Sequence, residues 1–169
     1  CKDRVVLDLG ASTGGFTEVL VQNHARHVYA IDVGHDQLHE DLRNHNRVTS
    51  MEGQDARNLK SDQLQYPISA ITVDVSFISL MKILEIPMKL AEQESWMLAL
   101  VKPQFEVGRK ALGKKGIVRD QHAIDVAIEQ VSKWVETQAG WQIKGTTPSP
   151  IKGQTGNQEY LLHSVKSQA

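Results

Sequence analysis

The chain has 169 residues, of which 40% are hydrophobic and 23% charged, with one cysteine and a formal net charge of −1. That length predicts a single domain, and the near-neutral sum argues against a protein basic over its whole surface and devoted to polyanions. The longest unbroken apolar run, Trp96–Val101, is six residues, too short to span a bilayer, and Cys1 alone forms neither an internal disulfide nor a cysteine metal cage.

Cys1-Lys2-Asp3-Arg4 runs directly into an apolar strand with no cationic, apolar leader, which reads as a trimmed chain from a reducing, cytoplasmic setting. Short apolar strands then alternate with helical stretches. Val5–Leu9 is a buried-strand run stopped by Gly10, and Phe16–Gln22 follows as a helix. Val28–Asp32 is the second strand and Asp36–Arg43 the second helix; a short strand lies near Val48. Ile71–Asp74 leads to a helix from about Leu80 to Ala91, and Trp96–Val101 is the next strand. Residues 101–120 form a glycine-containing loop with six bases against two acids, a local +4. Ala123–Gln138 carries Ile124, Ala127, Ile128, Val131 and Val135 on one helical face, and Trp141–Val165 reads as two strands around a turn rich in Pro and Gly. Repeated β–α–β units predict a doubly wound α/β fold, a mostly parallel sheet with helices on both faces.

The segment Asp8-Leu9-Gly10-Ala11-Ser12-Thr13-Gly14-Gly15-Phe16 joins the first strand to the first helix. In open parallel sheets that turn lies at the carboxyl edge, where ligands bind, and its glycines let the backbone come close to them. Asp32, 24 residues after Asp8, ends the second strand beside Val33, where a carboxylate takes ribose hydroxyls. Asp55, followed by Ala56, supplies an acceptor for an adenine amino group; a surface turn or a helix cap is the alternative. Asp8 separates two cofactor classes. A pyrophosphate about 5 Å from it would be repelled by roughly 3 kcal/mol at an effective dielectric near 20, whereas S-adenosylmethionine brings an ammonium and a sulfonium. No Gly-Lys-Ser/Thr holds a triphosphate. The set favours S-adenosylmethionine over a dinucleotide.

Asp74-Val75-Ser76-Phe77-Ile78-Ser79 and Lys102-Pro103-Gln104-Phe105-Glu106 follow two further strands and reach the same edge. A lysine leaving an apolar strand is desolvated, which suits a base, although a snorkelling side chain has the same pattern. Gly156-Asn157-Gln158-Glu159-Tyr160 places Glu159 at a sheet terminus, where an exposed edge glutamate is the plainer alternative. His35 and His39 have the i, i+4 spacing of helical metal ligands, but no Glu follows His35 and no third ligand is evident. They read as part of a solvated helix, and no metal is expected.

In this order, Asp8–Thr17, Asp74–Ser79, Val101–Gly108 and Gly156–Tyr160 closely resemble the TlyA family, often labelled hemolysin A, within the FtsJ-like ribose 2′-O-methyltransferases. The resemblance covers essentially the whole chain. It implies a seven-stranded Rossmann-like methyltransferase sheet, S-adenosylmethionine as donor, and cytidine ribose of ribosomal RNA or ribosomal subunits as acceptor. The short apolar runs predict no membrane partner, and no obligate protein partner is evident in the sequence. Of the Lys-Asp-Lys-Glu tetrad used by that superfamily, Asp74, Lys102 and Glu159 match the aspartate, second lysine and glutamate. Gly14, Phe16, Asp32, Asp55 and Asp74 match cofactor positions, and Asp8, Gly10, Ala11, Ser12, Gly15, Val33 and Ala56 complete the expected pocket. Arg109, Lys110, Lys114, Lys115 and Arg119 are expected phosphate contacts. The tetrad's first lysine and an S4-like RNA-binding domain belong upstream of these motifs and are missing from the 169 residues, so residues 1–169 read as one catalytic domain with an incomplete tetrad. Three rival readings are a methyltransferase for a non-RNA substrate, a cofactor-binding module without turnover, and a membrane-lytic protein.

Overall fold

The computed structural model describes residues 1–108, 112–113 and 116–167. In chain order its elements are β1 (Val5–Leu9), α1 (Gly15–Gln22), β2 (His27–Asp32), α2 (Glu40–Arg43), β3 (Val48–Glu52), β4 (Ile68–Val73), α3 (Leu80–Ile83), α4 (Glu85–Leu90) and β5 (Ala91–Val101). They continue with α5 (Pro103–Glu106), α6 (Gln121–Thr137), β6 (Trp141–Pro148) and β7 (Tyr160–Lys166). The strands form one seven-stranded sheet in the order β3-β2-β1-β4-β5-β7-β6. All pairings from β3 through β5 are parallel, whereas β7 runs antiparallel between β5 and β6.

Alternation along β1 divides the core. Leu7 and Leu9 face a layer with Leu80, Met88, Val131 and Val135 from α3, α4 and α6 and with Leu84 between α3 and α4, while Val6 faces Leu20 and Leu38 on the other side. A strand buried on both faces must be continuously apolar, which is why Asp8 stands out within it.

Beyond shifts of one to three residues at the ends of α1, β2, β4 and α6, three elements differ from the sequence-based reading. The helix expected over 36–43 begins only at Glu40, because Asp36 adopts φ 55° and the Gln37 and Leu38 N–H groups donate to the Glu52 carboxylate at 2.7 and 3.1 Å. His35 and His39 therefore precede α2 and do not share a helical face; His39 caps it, its Nδ1 accepting from Asp41 N–H. The helix expected from Leu80 to Ala91 is two short ones meeting at Leu84, since Pro87 has no N–H for the Ile83 carbonyl. Strand β5 starts at Ala91 rather than Trp96, interrupted by a register shift against β4 where Glu94 takes φ 61° and Ser95 Oγ donates to the Glu92 carbonyl.

Candidate active site

Parallel strands end together, so β1, β2, β3 and β4 deliver their following loops to one edge. Gly10 leaves β1 with φ 79°, and a Cβ there would run into the Asp74 carbonyl oxygen. The Gly10 and Ala11 N–H groups both donate to the Ile31 carbonyl, at 2.9 and 3.1 Å, which pins the glycine loop to the end of β2. Asp32 completes the clamp: Oδ2 accepts from Ser12 N–H and Oδ1 from Gly34 N–H, each at 2.8 Å. A carboxylate offers about four lone-pair directions, so both oxygens retain acceptor capacity toward a ligand. Asp55 is paired with Arg57, whose Nη2 lies 2.6 Å from Oδ2. Gly10, Ser12, Asp32, Val33, Asp55, Ala56 and Asp74 all line one cavity of about 590 Å³.

The remaining expected cofactor residues lie elsewhere. Ala11 is buried beneath the loop. Gly14 has φ 107° and is a glycine because Leu38 and Leu42 pack against its Cα, and Gly15 opens α1. Phe16 lines a second, adjoining cavity.

Asp8 requires a correction. Its side chain is 0% exposed and lines neither cavity, so it does not meet a cationic ligand directly. Thr17 Oγ1 donates to Oδ2 at 2.6 Å and Thr72 Oγ1 to Oδ1 at 2.9 Å, tying α1 to β4 behind the glycine loop. Burial pushes its pKa up to about 6 from 3.8, against the opposing pull of the two threonine hydroxyls. Because the folded value lies above the unfolded one, the group costs nothing below about pH 4 and roughly 3 kcal/mol above about pH 6. Asp8→Asn keeps the shape and removes the charge, so we expect a higher Tm than the parent at pH 8 and convergence of the two near pH 4. Thermal melts at both pH values check this; an equal difference at the two would mean that the charge is not what matters.

The second cavity, about 840 Å³, opens between β5, β7 and the loop before β7, and shares Gly10, Ser12, Asp74, Ser76 and Phe77 with the first. Lys102, directly after β5, projects its ammonium to 2.6 Å from Asp74 Oδ1 and 3.0 Å from Ser76 Oγ, and its side chain is only 11% exposed. Glu159, just before β7, lines the same cavity. Burial raises its pKa and the nearby Asp74 adds to this, while Lys102 and the Gln104 amide oppose it. Asp74, Lys102 and Glu159, far apart in the chain, thus converge on one cavity.

Several residues of this site had no assigned part in the sequence reading. Glu106 accepts from Ser79 Oγ at 2.7 Å and from Leu80 N–H at 2.8 Å, fastening the segment after Asp74 to the segment after Lys102. Phe77 is 91% exposed, takes φ 66° and leans on Phe105 with ring centroids 5.1 Å apart. An exposed aromatic side chain held at positive φ is a costly arrangement of the kind that gathers at functional sites. Of the expected RNA contacts, Arg119 is exposed, whereas Arg109, Lys110, Lys114 and Lys115 lie outside the described residues.

A family model described as FtsJ-like methyltransferase matches residues 1–166. The chain is 42% identical over 166 residues to a protein of Brachyspira hyodysenteriae named Hemolysin A, covering 97% of this chain and 68% of that one. It is 41% identical over 159 residues to a Mycobacterium tuberculosis protein named 16S/23S rRNA (cytidine-2′-O)-methyltransferase TlyA, covering 94% of this chain and 59% of that one. A solved structure from Streptococcus thermophilus, provisionally named a hemolysin, superposes with a TM-score of 0.94 at 42% identity, covering 99% of this chain and 61% of that one. The chain spans 59% to 68% of the length of these relatives.

Proposed function

The chain belongs to the FtsJ-like methyltransferase family, and we propose that it transfers the methyl group of S-adenosylmethionine to a ribose 2′-oxygen, a cytidine of ribosomal RNA being the acceptor. The observation that carries this reading is the Asp74–Lys102–Glu159 cluster on the cavity next to the one held by Asp32. The first cavity suits the donor: three carboxylates line it, and Arg57, its one basic lining residue among those described, is paired with Asp55. A cationic ligand with a ribose is attracted there, and a pyrophosphate is not.

When bound, the donor supplies an electrophilic methyl group. Asp32 would hold the ribose hydroxyls of the donor with the same carboxylate that fixes the Ser12 and Gly34 N–H groups. Asp74 aims the Lys102 ammonium at the wall between the cavities, where it would orient the acceptor hydroxyl and disperse the charge that develops on its oxygen while the hydroxyl proton passes to water. Glu159, made more basic than an ordinary carboxylate by burial, holds the acceptor ribose from the turn before β7. Exposed Phe77 offers a face on which a base can stack. Arg119 and the bases of the 101–120 loop supply phosphate contacts, which add affinity without reading sequence.

In this reading residues 1–169 are one methyltransferase unit, and the enzyme works in the cytoplasm, where its substrate is made. Among the described residues no helix is long and apolar enough to cross a membrane.

The test is transfer of tritiated methyl groups to ribosomal RNA followed by alkaline hydrolysis. A 2′-O-methyl group removes the hydroxyl that attacks the adjacent phosphate, so label is expected in alkali-resistant dinucleotides. Label in mononucleotides would mean a base is the acceptor, and the assignment of the ribose oxygen would be wrong.

A further inference from the structure

Asn157 is 2% exposed and lies two residues before Glu159. Its Oδ1 accepts from Val118 N–H at 3.0 Å, and its Nδ2 donates to the Gly116 carbonyl at 3.1 Å and to Thr155 Oγ1 at 2.9 Å. An amide that only closed its own turn would bond locally, as to Thr155. Two of these three bonds instead reach back 39 and 41 residues, meeting a donor and an acceptor of the main chain as a neighbouring strand would.

The segment so held, 116–118, is the far end of the loop that carries Lys114, Lys115 and Arg119 in sequence. The turn that holds it is the one that seats Glu159. Gly153 N–H donates to the Asn157 carbonyl at 3.0 Å, and Ser149 N–H to the Glu159 carbonyl at 2.8 Å. Gly153 lies so close to the Glu159 carboxylate that a Cβ there would collide with Oε1. Gly116, Gly153 and Glu159 line the same cavity.

We propose that Asn157 is a positioning residue for the methyl acceptor, fastening the end of the basic loop to the turn that seats Glu159 so that both reach the acceptor cavity as one piece. The proposal rests on the methyl-transfer reading above and adds a residue to it. Its consequence is that RNA phosphates engaging the loop also set the carboxylate, through one buried amide. The other charged groups acting on Glu159 are Lys102 at the end of β5 and Asp74 after β4, with the Gln104 amide from α5. None of these is moved directly by a change at position 157.

Asn157→Ala is compared with the parent protein for methyl transfer to ribosomal RNA, affinity for S-adenosylmethionine, and hydrogen exchange at Val118. The expected result is faster exchange at Val118, a roughly 10- to 100-fold fall in transfer, and donor affinity within about twofold of the parent. Loosening the turn lets water reach Glu159, so the acid limb of the pH–rate profile moves to lower pH; loss of a merely structural bond would leave it in place. Asn157→Asp keeps the shape and the acceptor for Val118 but faces the Gly116 carbonyl with a carboxylate, and is expected to be impaired. Unchanged transfer and an unmoved acid limb in Asn157→Ala overturn the proposal, as does parental turnover in a folded Asn157→Asp if the alanine variant does not fold. Thr155→Ala matching the loss would assign it to the local turn bond and overturn the proposal too. If the parent itself does not methylate RNA, the methyl-transfer reading fails; the exchange of Val118 still reads the clip.

Discussion

Lys102→Met is expected to lower methyl transfer by about 100-fold or more while affinity for S-adenosylmethionine stays within about twofold of the parent. Methionine retains the length and apolar stem that lie along the end of β5, so the packing survives. What is lost is the ammonium at 2.6 Å from Asp74 and 3.0 Å from Ser76. Asp74 keeps 39% side-chain exposure, so its charge is not left fully buried, although Oδ1, the oxygen that faces Lys102, is itself buried and loses its ion partner. Lys102 lines the second cavity and not the first, which is why binding of the donor and transfer of its methyl should separate. Single-turnover rates and calorimetric titration of the donor measure the two independently. A parallel fall in both would make Lys102 a donor contact and end its assignment to the acceptor.

Asp32→Ala is expected to do the reverse, weakening the donor by about 100-fold or more. Two main-chain N–H groups, of Ser12 and Gly34, lose their acceptor, and the ribose hydroxyls lose theirs. A hydrogen bond to a charged group is worth roughly 1.5–3 kcal/mol, so even two losses reach that factor. The glycine loop and the loop after β2 are also held less tightly, by the Gly10 and Ala11 bonds to the Ile31 carbonyl and the His39 N–H to the Thr13 carbonyl alone. Transfer should recover substantially at saturating donor, because Lys102, Asp74 and Glu159 are untouched. Calorimetry that finds parental affinity would remove Asp32 from the donor site.

How much of this was legible in the sequence depended on whether an element was decided locally. Val5–Leu9 is five apolar or fully buried positions ended by a glycine, and the strand is where its pattern puts it. The helix over 36–43 was not legible, because its first turn is undone by Glu52, a carboxylate from another strand that takes the N–H groups the helix needed. Asp8 shows the same limit at the site. Its charge beside glycines reads as a ligand contact, and only the sheet, by bringing Thr72 from β4 and Thr17 from α1 to its two oxygens, shows that its partners are internal. Asp74 and Lys102 could be placed at the right edge from strand ends alone, whereas their ion pair required the β4–β5 register. Glu106 and Asn157 sat inside quoted motifs without a part, since their partners lie 26 to 41 residues away.

The place of β7 has a consequence for synthesis. It lies inside the sheet, and β6 meets the other strands only through it. While the chain is being made, β1 through β4 emerge early and can pair, so the donor half can form on a nascent chain. β6 must then wait as an unpaired strand until residues 160–166 follow, and Glu159 comes with them. The first cavity can therefore be completed on a nascent or prematurely terminated chain before the second exists.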